Sequence, residues 1–235
     1  MNPNEIKGLA YLTYSGSIAY GTNIETSDTD IRGFYQETVT DIITGNSKDT
    51  ITYSAEDTVI YSLRKFVRLC RNANPNVLEL LGTKDEHILF INDVGKLFRD
   101  NKEVFFSRKA FNSFGGFATS EIGKLRSCKF FKVNEKWYKA AMHAVRLLLM
   151  GADLLNGNGL IVYRENDLDL LTSIRRGEIE RDEIIKIIEE LNRKLAVAYD
   201  NSKLPYAPDD TAMNKLLMKA YEMNFADDHW RIIWG

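Results

Sequence analysis

The hydrophobic pattern changes period near residue 108, and that change limits the architectures open to this chain. Before it, apolar residues fall in short runs separated by turn-forming residues; after it they recur at helical spacing. Residues 9–15, 30–38 and 58–63 read as strands, the last rich in β-branched residues and Tyr. Residues 44–50, Thr-Gly-Asn-Ser-Lys-Asp-Thr, form a turn-rich stretch. Residues 64–71 read as a basic amphipathic helix that stops before Asn72-Ala73-Asn74-Pro75, with Pro75 starting the next segment, 77–81. Asp93 is the expected cap of a helix over 93–103. Beyond the boundary, 111–125 and 136–155 read as helices, the second strongly apolar on one side and closed by Asn156-Gly157-Asn158-Gly159. Over 182–199, Ile184, Ile185, Ile187, Ile188, Leu191 and Leu195 follow the 3.6-residue period. Residues 204–208 read as a linker and 212–223 as a short final helix. The expectation is an α/β first half, residues 1–108, followed by an all-helical second half, residues 109–235.

Composition narrows the function. With 235 residues, 44% of them hydrophobic, the chain can bury a core and is not disordered. No run approaches the 18 or so apolar residues that a membrane span needs, and no secretory signal opens the sequence. The expected setting is cytoplasmic. Two cysteines, Cys70 and Cys128, cannot make a disulfide framework or a four-thiolate zinc site, and both sit in helix-like apolar patterns that suit core packing. Three scattered histidines argue against a histidine-built metal centre. The 31 basic and 33 acidic residues nearly cancel, which excludes a uniformly basic nucleic-acid coat. The charge is uneven, however: residues 99–146 hold 11 basic and 4 acidic residues. Such asymmetry suits either a polyanion-facing surface or several ordinary solvated helix faces.

The chemistry concentrates in Tyr14-Ser15-Gly16-Ser17-Ile18-Ala19-Tyr20-Gly21-Thr22 and, a few residues on, Ser27-Asp28-Thr29-Asp30-Ile31-Arg32-Gly33. Gly16-Ser17 follows a predicted strand and opens a short helical turn. Glycine there lets the backbone approach a ligand, the amides at a helix start face anions, and the Ser17 hydroxyl adds a donor. That suits the outer phosphates of a nucleotide. Asp28 and Asp30 stand two apart where a strand begins, a spacing that puts two carboxylates on one face. Two hard oxygen donors side by side suit Mg²⁺ when phosphates and waters complete its octahedron. Two such ions, about 3.5–4 Å apart, can clamp an in-line displacement at phosphorus. A third carboxylate is usual in such sites; Asp57, at the head of the strand over 58–63, is the candidate, with Glu56 the neighbour it must be told from. A second Asp-x-Asp, Asp167-Leu168-Asp169, precedes an apolar helical run and reads as helix capping.

These residues resemble the DNA polymerase β-type nucleotidyltransferase superfamily, whose signature is Gly-Ser after a strand, then Asp-x-Asp entering the next strand, then an acid on a third. The longer pattern, Gly16-Ser17-x-x-Tyr20-Gly21-Thr22 with Ser27-Asp28-x-Asp30-x-Arg32-Gly33, is similar to the predicted nucleotidyltransferases of an RNA-repair pathway, the RNA repair pathway DNA polymerase β family of bacteria and phages. Leu63-Arg64-Lys65-Phe66, Asn74-Pro75 with Glu79, a helix carrying Lys139, His143 and Arg146, Ile174-Arg175-x-Gly177-Glu178 and Ser202-x-Leu204-Pro205 extend the similarity from about Leu9 to Pro208. The resemblance implies an α+β fold: a mixed-sheet, palm-like nucleotidyltransferase domain over 1–108 and a helical substrate-binding domain over 109–235. It implies a transfer of NMP from an NTP to an acceptor hydroxyl, with two Mg²⁺ or Mn²⁺ ions held by Asp28, Asp30 and Asp57. It also implies nucleotide contacts from Gly16, Ser17, Tyr20, Thr22, Ser27, Lys65, Lys139, His143 and Arg146. The implied acceptor is an RNA 3′ end or a tRNA, and the implied partner an RNA ligase. One departure stands out: position 18 is Ile where many relatives carry a basic residue or histidine, so Lys65, Lys139 or Arg146 must supply that contact. Lys139, His143 and Arg146 at i, i+4 and i+7 share a helix face, either a solvated one or a clamp on the triphosphate. Transfer to a protein or small molecule, as in antitoxins, and nucleotide or RNA binding without turnover are the other readings open to this sequence. An Asp-x-Asp glycosyltransferase does not account for Gly16-Ser17.

Overall fold

The computed structural model describes residues 6–53, 57–126 and 134–225. Cys128 and Glu56 lie outside them. Five strands form one mixed sheet: β1 (Leu9–Ser15), β2 (Asp30–Tyr35), β3 (Thr50–Tyr53), β4 (Thr58–Ser62) and β5 (Ile88–Ile91), in the order β3-β4-β2-β1-β5. Only β2 and β4 run parallel; the other pairs are antiparallel. The expected strands at 9–15, 30–38 and 58–63 are β1, β2 and β4. The second ends at Tyr35 because Gln36 and Glu37 leave the ladder for other work: the buried Glu37 carboxylate accepts from the Leu63 amide at 3.0 Å and pairs with Arg64 at 2.9 Å. Strands β3 and β5 were not legible. β3 has two half-buried and two exposed residues in only four positions, and Ile88-Leu89-Phe90-Ile91 shows no alternation.

The helices follow their sequence signals closely. The first half contains α1 (Gly16–Tyr20), α2 (Val39–Ile43), α3 (Leu63–Arg71), α4 (Pro75–Leu78) and α5 (Asp93–Asp100). The second contains α6 (Lys109–Arg126), α7 (Glu135–Leu155), α8 (Leu168–Arg176), α9 (Arg181–Asn201) and α10 (Asp210–Phe225). Two expected caps move. Asn92, not Asp93, caps α5: its extended backbone leaves its side chain free to accept from the Gly95 amide at 3.0 Å, whereas Asp93 is already helical. Asp167 precedes α8 but caps no amide, because its carboxylate is taken by Arg164 at 2.9 Å. Cys70 is fully buried in α3, and burial pushes its thiol well up.

Among the described residues a small hydrophobic cluster gathers Ile6, Leu9, Leu12, Tyr35 and Ile60, and the larger one runs without a break from Ala10 in β1 to Ala220 in α10. Phe34, Phe66, Phe98 and Phe105 form its aromatic centre on one face of the sheet, with Phe34 and Phe66 stacked at 4.2 Å between centroids. Helix α7 is the beam of the second half, with Trp137, Ala141, Val145, Leu148 and Leu155 buried against its neighbours. No helix among the described residues is long and apolar enough to cross a membrane.

Candidate active site at the β1, β2 and β4 termini

Register brings the site together. β1 runs antiparallel to β2, so the end of β1 meets the start of β2, with Ser15 opposite Asp30. β4 runs parallel to β2, so their starts meet, with Ile31 opposite Thr58. Three chain segments separated by up to some forty residues thus end at one edge: Gly16, Asp30 and Asp57. The Ile31 amide donates to the Asp57 carbonyl at 3.3 Å, which holds the turn before β4 against β2. Asp57 sits at φ 40°, a left-handed conformation that few residues other than glycine and Asn or Asp adopt.

The contacts are close. A Cβ added at Gly16 would fall 2.2 Å from Asp30 Oδ2, so glycine is the only residue that admits this carboxylate, and φ 61° there favours it too. The Asp57 carboxylate lies close enough to Asp30 to act on its protonation. Burial, the Asp57 hydrogen bond and its charge raise Asp30 above the ordinary aspartate range, against the pull of Arg32 and Lys139. Asp28 is different from expectation. β2 begins at Asp30, so Asp28 lies in the preceding loop, exposed, where no ladder enforces the two-residue alternation. Among the described residues no group of three acidic, His or Cys side chains converges on one point. The gathered donors are therefore a pair, Asp30 and Asp57. Two hard oxygens beside the Gly16 backbone fit a hard divalent cation whose remaining ligands come from phosphate and water.

The other expected contacts separate into three groups. Lys139 is exposed on α7 and its charge reaches Asp30; His143, one turn on, is half-buried with its ring edge-on to Tyr20 at 6.4 Å. Arg146, the third of this face, is not a solvated or phosphate-facing cation. It is 2% exposed, pairs with Glu79 at 3.2 Å and lies 3.5 Å over the Tyr20 ring. The Tyr20 hydroxyl donates to the other Glu79 oxygen at 2.6 Å. Burial raises both Tyr20 and Glu79 above their ordinary ranges. Lys65 points to β3, donating to Thr50 Oγ1 at 2.6 Å. Ser27 closes its own loop by accepting from the Ile24 amide at 2.8 Å, and Thr22 is buried behind α1 with its amide on the Ser17 carbonyl. Of the three cations that could replace a basic side chain at Ile18, Lys139 is the one facing the acids.

Sequence reasoning missed two residues. Arg32 reaches both acids, with Nη2 3.4 Å from Asp30 Oδ1 and Nη1 3.6 Å from Asp57 Oδ1. The period-two rule used for Asp28 and Asp30 would have found it, since Arg32 is two residues into the strand proper. Glu79, named in the sequence only beside Asn74-Pro75, is a buried partner of Tyr20 and Arg146; nothing in its local sequence marks that. The basic stretch is partly consumed internally as well. Arg99 binds Asp85 at 2.8 Å, Arg108 binds the Leu204 and Ser202 carbonyls, and Arg146 binds Glu79.

No curated protein matches this sequence. Among solved structures, a nucleotidyltransferase-like protein from Exiguobacterium sibiricum 255-15 is similar at 11% identity and a TM-score of 0.32, over 93% of this chain and 76% of that one. The sequence model of one family spans residues 3–219, which runs from ahead of β1 into α10 and includes Gly16, Asp30 and Asp57. The chain belongs to the RNA repair pathway DNA polymerase beta family.

Proposed function

We propose that the protein is a metal-dependent nucleotidyltransferase that moves NMP from an NTP to a hydroxyl at an RNA end, releasing pyrophosphate. The observation that carries this is the Asp30–Asp57 pair set against the Gly16 backbone. Asp30 and Asp57 would hold the divalent ion, with Asp28 joining from its loop when ion and nucleotide are present. When bound, the ion supplies charge neutralisation at the transferring phosphoryl group and lowers the acceptor hydroxyl's pKa. Gly16 and Ser17 offer backbone and hydroxyl donors to the outer phosphates. Asp57, the more exposed acid of the pair, would take the acceptor's proton. Lys139 on α7 lends positive charge to Asp30 and would do the same for a triphosphate bound there. The family's link to RNA repair and the basic balance of residues 99–146 favour an RNA acceptor.

The test uses each radiolabelled NTP with Mg²⁺ against total RNA, total protein and small-molecule acceptors. Wild type should label RNA, and D30N and D57N should each lose at least about 100-fold in rate with the fold intact. Label on protein alone would overturn the acceptor; undiminished labelling by D30N would overturn the mechanism.

A further inference from the structure

Arg32 is the side chain at the site that the proposed transfer leaves without a task. It follows Asp30 by two positions in β2, so alternation turns both to one face. The guanidinium is wedged between the acids: 3.4 Å to Asp30 Oδ1, 3.6 Å to Asp57 Oδ1, and 3.3 Å from Nη1 to the Asp57 carbonyl that it donates to. A tight charge-assisted bond would measure about 2.7–2.9 Å. The fork therefore sits between the two carboxylates and is locked to neither. It is also largely shielded, with 22% of the side chain exposed, so solvent screens it only in part.

A divalent ion shared by Asp30 and Asp57 would need the space and the oxygens that this fork uses. Two cations cannot both occupy it, since their repulsion at such range is large wherever screening is weak. We propose that Arg32 is a resident counter-cation that competes with the divalent metal for the Asp30–Asp57 pair and so sets the threshold for metal loading. The inference rests on the reading that this pair binds metal. In the metal-free protein the guanidinium relieves the repulsion between two close carboxylates. The metal binds only the fraction of molecules in which the fork has swung away, and its apparent dissociation constant rises by the inverse of that fraction. Lys139 provides the internal comparison. It also lends positive charge to Asp30, but from an exposed position on α7 and not from between the acids.

Free Mn²⁺ measured by electron paramagnetic resonance, without nucleotide, separates occupancy from mere field. R32Q should bind Mn²⁺ about tenfold more tightly than wild type if the fork holds the pair roughly nine-tenths of the time. K139Q should tighten binding no more than about twofold, as expected of a solvent-screened charge. D30N should abolish the site in both backgrounds. R32Q binding no tighter than K139Q overturns the competition. Mn²⁺ binding that D30N leaves untouched in every background instead overturns the metal site itself. A second measurement needs no folded variant at this position beyond the assignment. The Arg32 Nε–H resonance of the wild-type protein should move in step with Mg²⁺ titration, and a resonance unchanged through saturation overturns the proposal.

Discussion

Single side chains decide whether this site exists. Gly16 is the sharpest case: a methyl there would collide with Asp30 Oδ2, so G16A should displace the carboxylate and abolish Mn²⁺ binding and transfer together. Asp30 makes a pH prediction. Its carboxyl is held above the ordinary aspartate value by burial and by Asp57, so the metal-free folded protein keeps a proton that the unfolded chain has already lost. The associated stability is present below the ordinary value of 3.8 and is lost as pH rises through the raised one. D30N cannot lose it. Thermal melts in a chelator should therefore show D30N gaining on wild type as pH climbs through that window, with the difference constant above it. The residue scale is also where the sequence was most and least informative. Gly16, Asp30 and Asp57 were legible because glycine strain, strand starts and acid spacing are local. Arg146 and Glu79 were not, because a cation on a polar helix face looks the same whether water or a buried acid receives it.

Elements were legible in proportion to their length. α7 and α9, 21 residues each, repeat their apolar period over several turns, while β3 and β5, four residues each, carry too few positions for any period to show. What joins elements was hidden altogether. The Tyr20–Glu79–Arg146 cluster ties α1, which opens with Gly16 and Ser17, to α7, which carries Lys139. It is nearly sealed from water, so breaking it leaves a charge with no partner. E79A or R146A should each cost about 3–5 kcal/mol in urea unfolding, while E79L/R146M, which removes both charges and keeps the volume, should recover most of that loss. Independent additive losses in the double variant would show that the pair is not a unit.

At the scale of the molecule, the change in period near residue 108 separates a sheet-bearing half from a helical one, yet the apolar core ignores it. Unfolding should accordingly be a single transition, with far-ultraviolet and near-ultraviolet circular dichroism giving the same midpoint; two midpoints would contradict it. The sequence pattern exposed the two halves because period is a local property; it could not expose the shared interior, which is made of contacts between residues far apart. Helix α10 shows how far apart. It returns to the first half, where the Gln36 amide donates to the Ala220 carbonyl at 3.1 Å, the Tyr221 hydroxyl donates to Glu37 at 3.0 Å, and Asp210 pairs with Arg71. A ribosome making this protein thus threads out a sheet well before it has made the helix that buttresses it. The nascent first half must wait, with its apolar flank uncovered, until residues 210–225 have emerged, a window in which chaperone capture competes with folding.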